Sequence, residues 1–265
     1  MIGLLAGQCL DCGLGEPISK AFRRSHPADM DITMIDLRPF ASLGHADHGW
    51  LNAVHHFSFA DYHNPARMGW GRIRVWNDDA IAAQSGFPAH PHRDMEIITY
   101  VRSGAITHQD SLGNKGRTGA GDVQVMSAGS GITHAEINLE AETTSLFQIW
   151  IETDSRGEPP HWGQRGFPRG ERAGRWEVLA SNAPEADDAL LIKADARLLA
   201  ATLAAGETIE LTLNPLRHQY LVAPTGRIEV NGTLAEPRDG VAITGETRLS
   251  VTALDAAELI MVDSR

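Results

Sequence analysis

Gly86-Phe87-Pro88-Ala89-His90-Pro91-His92-Arg93-Asp94-Met95-Glu96 sets two histidines two positions apart. Gly131-Ile132-Thr133-His134-Ala135-Glu136 sets a histidine and a glutamate at the same spacing. In a β-strand, residues i and i+2 project from one face. Two neighbouring strands of this kind would aim His90, His92, His134 and Glu136 at one point inside a barrel. Imidazole and carboxylate donors together suit a borderline divalent metal such as Fe(II), Mn, Ni, Cu or Zn. The H-x-H unit alone has little weight, because 12 histidines in 265 residues give about 0.5 such patterns by chance. The weight lies in the order Gly86, H-x-H, Glu96, Gly121-Asp122, Gly129, His134, Asn138. Glu96 shares the parity of His90 and His92, so it too is expected to be able to face the barrel.

Outward from this segment the pattern is short runs of period two. Arg72 to Trp76 and Asp122 to Met126 alternate, while Glu96 to Arg102 and Ser145 to Ile151 are rich in β-branched and aromatic residues. Gly-rich turn clusters separate them, and strands at this spacing predict a sandwich or barrel. The first strand is expected in the segment Met34-Ile35-Asp36-Leu37-Arg38-Pro39. A polar, Gly/Pro-rich stretch from about Thr153 to Gly174 reads as a linker. Strands then resume at Trp176 to Leu179, Ile209 to Leu213, His218 to Val222, Arg227 to Val230 and Leu259 to Val262, with a hairpin signal at Asn231-Gly232. Ala196 to Ala205 has the composition of a helix, but its neighbours favour a strand. The fold class is therefore all-β, with two barrel or jelly-roll domains in tandem. Residues 34–155 form the metal-binding one, and residues 156–265 form the linker and a second, metal-free one. The second half carries His218 but no H-x-H or H-x-E. Residues 1–33 lack a period and are expected to be poorly ordered or upstream of a true start at Met30 or Met34.

Composition narrows the function. A net charge of -11 disfavours direct binding to a nucleic-acid backbone. No apolar run is long enough for a transmembrane helix, so a cytoplasmic protein without membrane association is expected. Cys9 and Cys12 form the only cysteine pair. Without a second pair, or a strand–helix setting, they read as incidental rather than as a redox or zinc motif.

The residues also resemble the pirin family, a group of tandem cupins. The likeness runs through His45-Ala46-Asp47-His48-Gly49-Trp50, His56-Phe57-Ser58-Phe59-Ala60-Asp61-Tyr62 and Met68-Gly69-Trp70-Gly71. It continues through His90-Pro91-His92-Arg93-Asp94-Met95-Glu96-Ile97, Met126-Ser127-Ala128-Gly129, Gly131 to Glu136 and Gln148-Ile149-Trp150-Ile151. It is dense over residues 34–152, looser beyond, and has no counterpart for residues 1–33. The resemblance implies that His90, His92, His134 and Glu136 are the ligands of one divalent metal, Fe(II) foremost. Many other cupins use the glutamate at the position of Glu96. Glu136 is taken as ligand and Glu96 as its neighbour, with both as candidate acid–base groups. His45, His48, His55 and His56 are expected to be structural or at the rim. Asp61 and Tyr62 are candidates for the cavity mouth, and Trp50 and Trp70 for the core.

Three imidazoles and one carboxylate leave two positions of a six-coordinate ion for a bidentate oxygen ligand or O2. Bacterial pirins are associated with quercetin 2,3-dioxygenase activity. The resemblance thus implies a dioxygenase that opens a flavonol-like ring with O2 and releases CO. The rival readings are a metal-binding co-regulator without turnover and a non-redox metal enzyme on the same fold.

Overall fold

The computed structural model describes residues 34–183 and 188–265. The expectations for residues 1–33, with Cys9, Cys12 and the alternative start at Met30, lie outside them. The described chain is built from four sheets, and all but one of the strand pairings are antiparallel. Among the described residues no helix is long and apolar enough to cross a membrane.

The first half contributes a seven-stranded and a four-stranded sheet. The larger one runs His161–Arg165, Val123–Ser127, Met95–Ser103, Thr144–Glu152, Ile73–Ile81, Leu51–His55, Gly44–Asp47. The smaller one runs Ser85–His92, Ile132–Asn138, Ala105–Asp110, Lys115–Gly119. The second half repeats the plan with one seven-stranded and one four-stranded sheet. The fold is two cupin barrels in tandem. Ala196–Leu203 is a strand, as its neighbours suggested, because it pairs with Ala257–Ser264 along its whole length. Asn231 and Gly232 both take positive φ, which is the geometry a two-residue hairpin turn between twisted strands needs.

Two segments sit where the sequence alone did not place them. Met34–Arg38 pairs with Gly240–Thr244, so the first strand completes the sheet of the second half. His161–Arg165, inside the expected linker, pairs with Val123–Ser127 and covers an edge of the first half. Polar composition made this stretch look like a loop. A sheet edge offers unpaired N–H and C=O groups, and that demand outweighs a weak local preference.

The central strands are buried on both faces, which explains their nearly continuous apolar runs. Ile98, Tyr100, Phe147, Ile149 and Ile151 meet Leu198, Ala200, Tyr220, Val222 and Ile260 of the second half in one core. The second barrel is filled by a separate aliphatic cluster that includes Leu199, Leu221, Val241, Leu249, Val251 and Met261. The first barrel carries only two small clusters of its own, around Ile81, Ile106 and Leu146 and around Ile97, Met126 and Ile132. The interior between the halves also holds charge. Arg172, almost fully buried, donates to Tyr100 Oη and to Glu258 Oε1, each at 2.6 Å. Arg169 donates to the same Glu258 oxygen at 2.7 Å.

Removing the acid from this cluster should be costly, because it strands a buried guanidinium. Glu258→Ala is expected to lower unfolding stability by about 3–5 kcal/mol. Urea titration followed by tryptophan fluorescence measures this, and a loss comparable to that of an exposed pair such as Arg227–Asp255 would refute it.

Candidate metal centre

His90 and His92 lie on Ser85–His92, and His134 and Glu136 lie on the neighbouring Ile132–Asn138. His134 stands directly opposite His90, and Ile132 opposite His92. All three histidines therefore face one side. The register slips between His134 and Glu136, so that Glu136 stands opposite Phe87. A bulge of this kind re-aims the side chains beside it. Gly86 makes the close approach possible, since a Cβ there would lie 2.3 Å from the backbone oxygen of Glu136.

The imidazoles of His90, His92 and His134 offer nitrogens that lie within 4.8 Å of one another, and their ring centroids are 4.5–5.0 Å apart. The surrounding hydrogen bonds assign their protons. His90 Nδ1 donates to the Pro88 carbonyl at 2.7 Å, so its Nε2 carries a lone pair. His108 Nε2 donates to the Asp110 carboxylate at 2.9 Å, so His108 Nδ1 is an acceptor. It receives His134 Nδ1–H over 3.4 Å, and His134 Nε2 is left with a lone pair as well. The two Nε2 atoms of His90 and His134 then face each other at 3.1 Å with no proton between them. Protonation would relieve this, but burial opposes it. Burial, and then His90 and His92 nearby, push His134 down to about 3. Burial, and then His90, push His92 down to about 4. Converging imidazole nitrogens are the donor set that a divalent cation satisfies, so the residues fit a metal.

Glu136 lines the same cavity. One of its carboxylate oxygens lies within 4.8 Å of ring nitrogens of His134 and His108, so the structure groups Glu136 with that pair and not with His90 and His92. Oε1 accepts from Thr99 and Gln124, and Oε2 accepts from Gln148 at 2.6 Å. Burial raises its carboxyl above the usual range despite these donors.

Glu96 is a correction. It does not line the cavity. Its Oε2 accepts from Ser127 Oγ and from the Lys193 backbone N–H. Strand parity does not carry past Arg93 and Asp94, because the chain turns there, with Asp94 at φ +50°, and Glu96 belongs to a strand of the other sheet. On that strand Ile97 lines the cavity and Thr99 reaches Glu136, so Glu96 points the other way. Expected as a candidate acid–base group, Glu96 stands outside the cavity wall.

The remaining expectations divide. His55 and His48 line the cavity, with His55 held to Asn77 at 2.8 Å. His56 is buried between the halves and meets Tyr220 Oη at 2.9 Å. His45 packs edge-on against Phe40. Asp61 and Tyr62 stay outside the cavity wall, whereas Trp50 forms part of it. Trp70 donates to the Gln219 carbonyl and joins the two halves. His108 and Asp110 are functional residues that the sequence pattern did not single out. His108 is fully buried, stacks on Trp162 with ring centroids 4.7 Å apart, and connects Asp110 to His134. Burial works against the charge of Asp110, yet hydrogen bonds from His108, Asn114 and Leu112 hold its carboxyl below the usual range. The H-x-D spacing at His108-Gln109-Asp110 was a usable signal.

Two measurements check this arrangement. His108→Phe keeps the stack on Trp162 but releases the proton of His134, and is expected to weaken divalent-metal binding about 10- to 100-fold in a chelator competition. Glu136→Gln is expected to lower metal occupancy, and Glu96→Gln to leave it at the wild-type level. The reverse outcome would make Glu96 the ligand in place of Glu136.

Comparison with known proteins gives one answer. Residues 37–151 match the Pirin family, and residues 178–264 match the family described as Quercetinase C-terminal cupin domain. A pirin-like protein of Caulobacter vibrioides is 61% identical over 231 residues, covering 87% of this chain and all of the relative. A quercetin 2,3-dioxygenase of Escherichia coli K12 is 41% identical over 231 residues, covering 87% of this chain and 98% of the relative. The crystal structure of the bacterial pirin YhhW from Escherichia coli in complex with nickel(II) superposes with a TM-score of 0.82 at 39% identity, covering 87% of this chain and 99% of that one. With these matches added to the tandem cupin barrels and the three converging imidazoles, the chain belongs to the pirin family.

Proposed function

We propose that this pirin is a metal-dependent dioxygenase of the quercetinase kind, which opens a flavonol-like ring with O2 and releases CO. One observation carries the reading. The converging imidazoles and Glu136 share a cavity of about 410 Å³ whose walls are largely aromatic and aliphatic carbon. Sites for small organic molecules typically occupy about 300–1,000 Å³ and combine apolar walls with a few polar groups. A co-regulator without turnover needs no such chamber, so the cavity favours the enzyme. The name of the Escherichia coli relative agrees with it.

In this reading His90, His92, His134 and Glu136 hold one divalent ion, taken as Fe(II). Such an ion, when bound, supplies Lewis acidity to a chelating hydroxy-ketone and a meeting point for O2. The protein groups do the rest. Trp50 and Phe87 meet edge to face at 5.1 Å, and Phe59 and Trp150 at 5.4 Å, giving the cavity two aromatic corners. These surfaces receive a flat ring and keep bulk water away from it. Glu136 accepts the proton of the flavonol 3-hydroxyl. Its burial makes it a better base than an exposed glutamate, and Thr99, Gln124 and Gln148 keep its oxygens in place. The Asp110–His108 pair holds the His134 ring in one tautomer while this happens. In the overall reaction the two ring bonds to C3 break. C3 leaves as CO with its own oxygen, and the two atoms of O2 enter the carbons left behind.

The test is oxygen uptake after anaerobic loading with Fe(II). Wild-type protein with quercetin is expected to consume one O2 per flavonol with CO released, and His92→Ala is expected to fall to background. Absence of uptake with every flavonol tried would overturn the dioxygenase.

A further inference from the structure

Asp78 and Asp79 are neighbours in sequence with opposite surroundings. Both lie on Ile73–Ile81 and both are buried, so alternation sends them to different faces. Asp78 faces the other half of the molecule, where Arg102 and Arg238 both donate to it, Arg238 at 2.6 Å. Asp79 faces the cavity of the metal centre. It is 2% exposed, no Lys, Arg or His among the described residues forms an ion pair with it, and its Oδ1 meets no hydrogen-bond partner. An unpaired buried polar atom normally costs stability, and native structures keep few of them.

The wall around Asp79 says what could satisfy it. Leu51, Ala53, Phe59, Phe87 and Ile97 present carbon, and Trp150, whose Nε1 is likewise buried without a partner, adds an aromatic face. Asn77 is engaged with His55, and Gln148 with Glu136. Asp79 is thus a polar group of this cavity with hydrogen-bonding capacity to spare. Burial, then the nearby charges of Asp78 and Glu136, raise its carboxyl well above the usual range. A carboxylic acid that keeps its proton offers one O–H donor and one carbonyl acceptor.

We propose that Asp79 is a specificity-determining residue that hydrogen-bonds an outer-ring hydroxyl of a planar polyphenol seated in the cavity. This rests on the reading of the cavity as a flavonol site and adds which flavonols it selects. Hydroxylated rings match Asp79, whereas an unsubstituted ring would bury it without a partner. Pockets built to hydrogen-bond a hydroxyl discriminate strongly against the analogue that lacks it.

The experiment compares binding of quercetin and 3-hydroxyflavone to the metal-loaded full-length protein under anaerobic conditions, followed by quenching of tryptophan fluorescence. Both compounds carry the chelating hydroxy-ketone, and only quercetin has outer-ring hydroxyls. Wild type is expected to bind quercetin more tightly. Asp79→Leu is expected to weaken quercetin about 10- to 100-fold while 3-hydroxyflavone binds as well as before or better. Asp79→Asn keeps a donor and an acceptor, and is expected to retain the preference for quercetin; it also serves should the leucine variant not fold. Equal weakening of both ligands in Asp79→Leu, unchanged quercetin binding, or an asparagine variant that loses the preference would overturn the assignment. Wild-type protein that binds neither compound would instead overturn the flavonol reading of the cavity, and the assignment with it.

Discussion

Two imidazole lone pairs that face each other across 3.1 Å are the constraint on which the site depends. Left to solvent, His90 and His134 would each find a water or a proton. Here the protons are already committed elsewhere, to Pro88 on one side and through His108 to Asp110 on the other. Burial then makes a further proton on His134 unfavourable. What remains is an unmet demand for positive charge at one point. The bulge between Phe87 and His90, opposite His134, the close approach at Gly86 and the stack of His108 on Trp162 all serve to keep that demand in place.

The two barrels divide the labour. The interior of the second holds one large aliphatic cluster. The first is split into two small clusters, and the space between them is the cavity. A hollow barrel gives up packing energy, since each missing contact is lost outright. The large shared core between the seven-stranded sheets, with Trp76, Tyr100, Phe147 and Tyr220, supplies cohesion from outside the cavity. Exchange of edge strands ties the halves further. Met34–Arg38 completes the second sheet, and Trp70 donates across the junction. The backbone around the metal centre can therefore be rigid although its interior is open.

Much of this was legible in the residues. Strand alternation fixed His90 with His92 and His134 with Glu136, because side chains two apart must share a face wherever the strand is unbroken. The same rule failed for Glu96, since Arg93 and Asp94 interrupt the strand and a turn resets parity. The segment His161–Arg165 read as a loop because its composition is polar, and only the open edge beside Val123–Ser127 made it a strand. Asp79 gave no signal at all, because two adjacent aspartates look alike until one of them meets Arg102 and Arg238.

Sequence alone determined the fold class, the positions of most strands and the residue types that could bind a metal. These follow from periodicity and spacing, which are local properties of the chain. Tertiary structure decided which carboxylate shares the cavity, which histidine fixes the tautomer of His134, and which half each edge strand completes. Those outcomes depend on what stands across a sheet or across the junction of the two barrels, and residues far apart in the chain carry no local mark of whom they will meet.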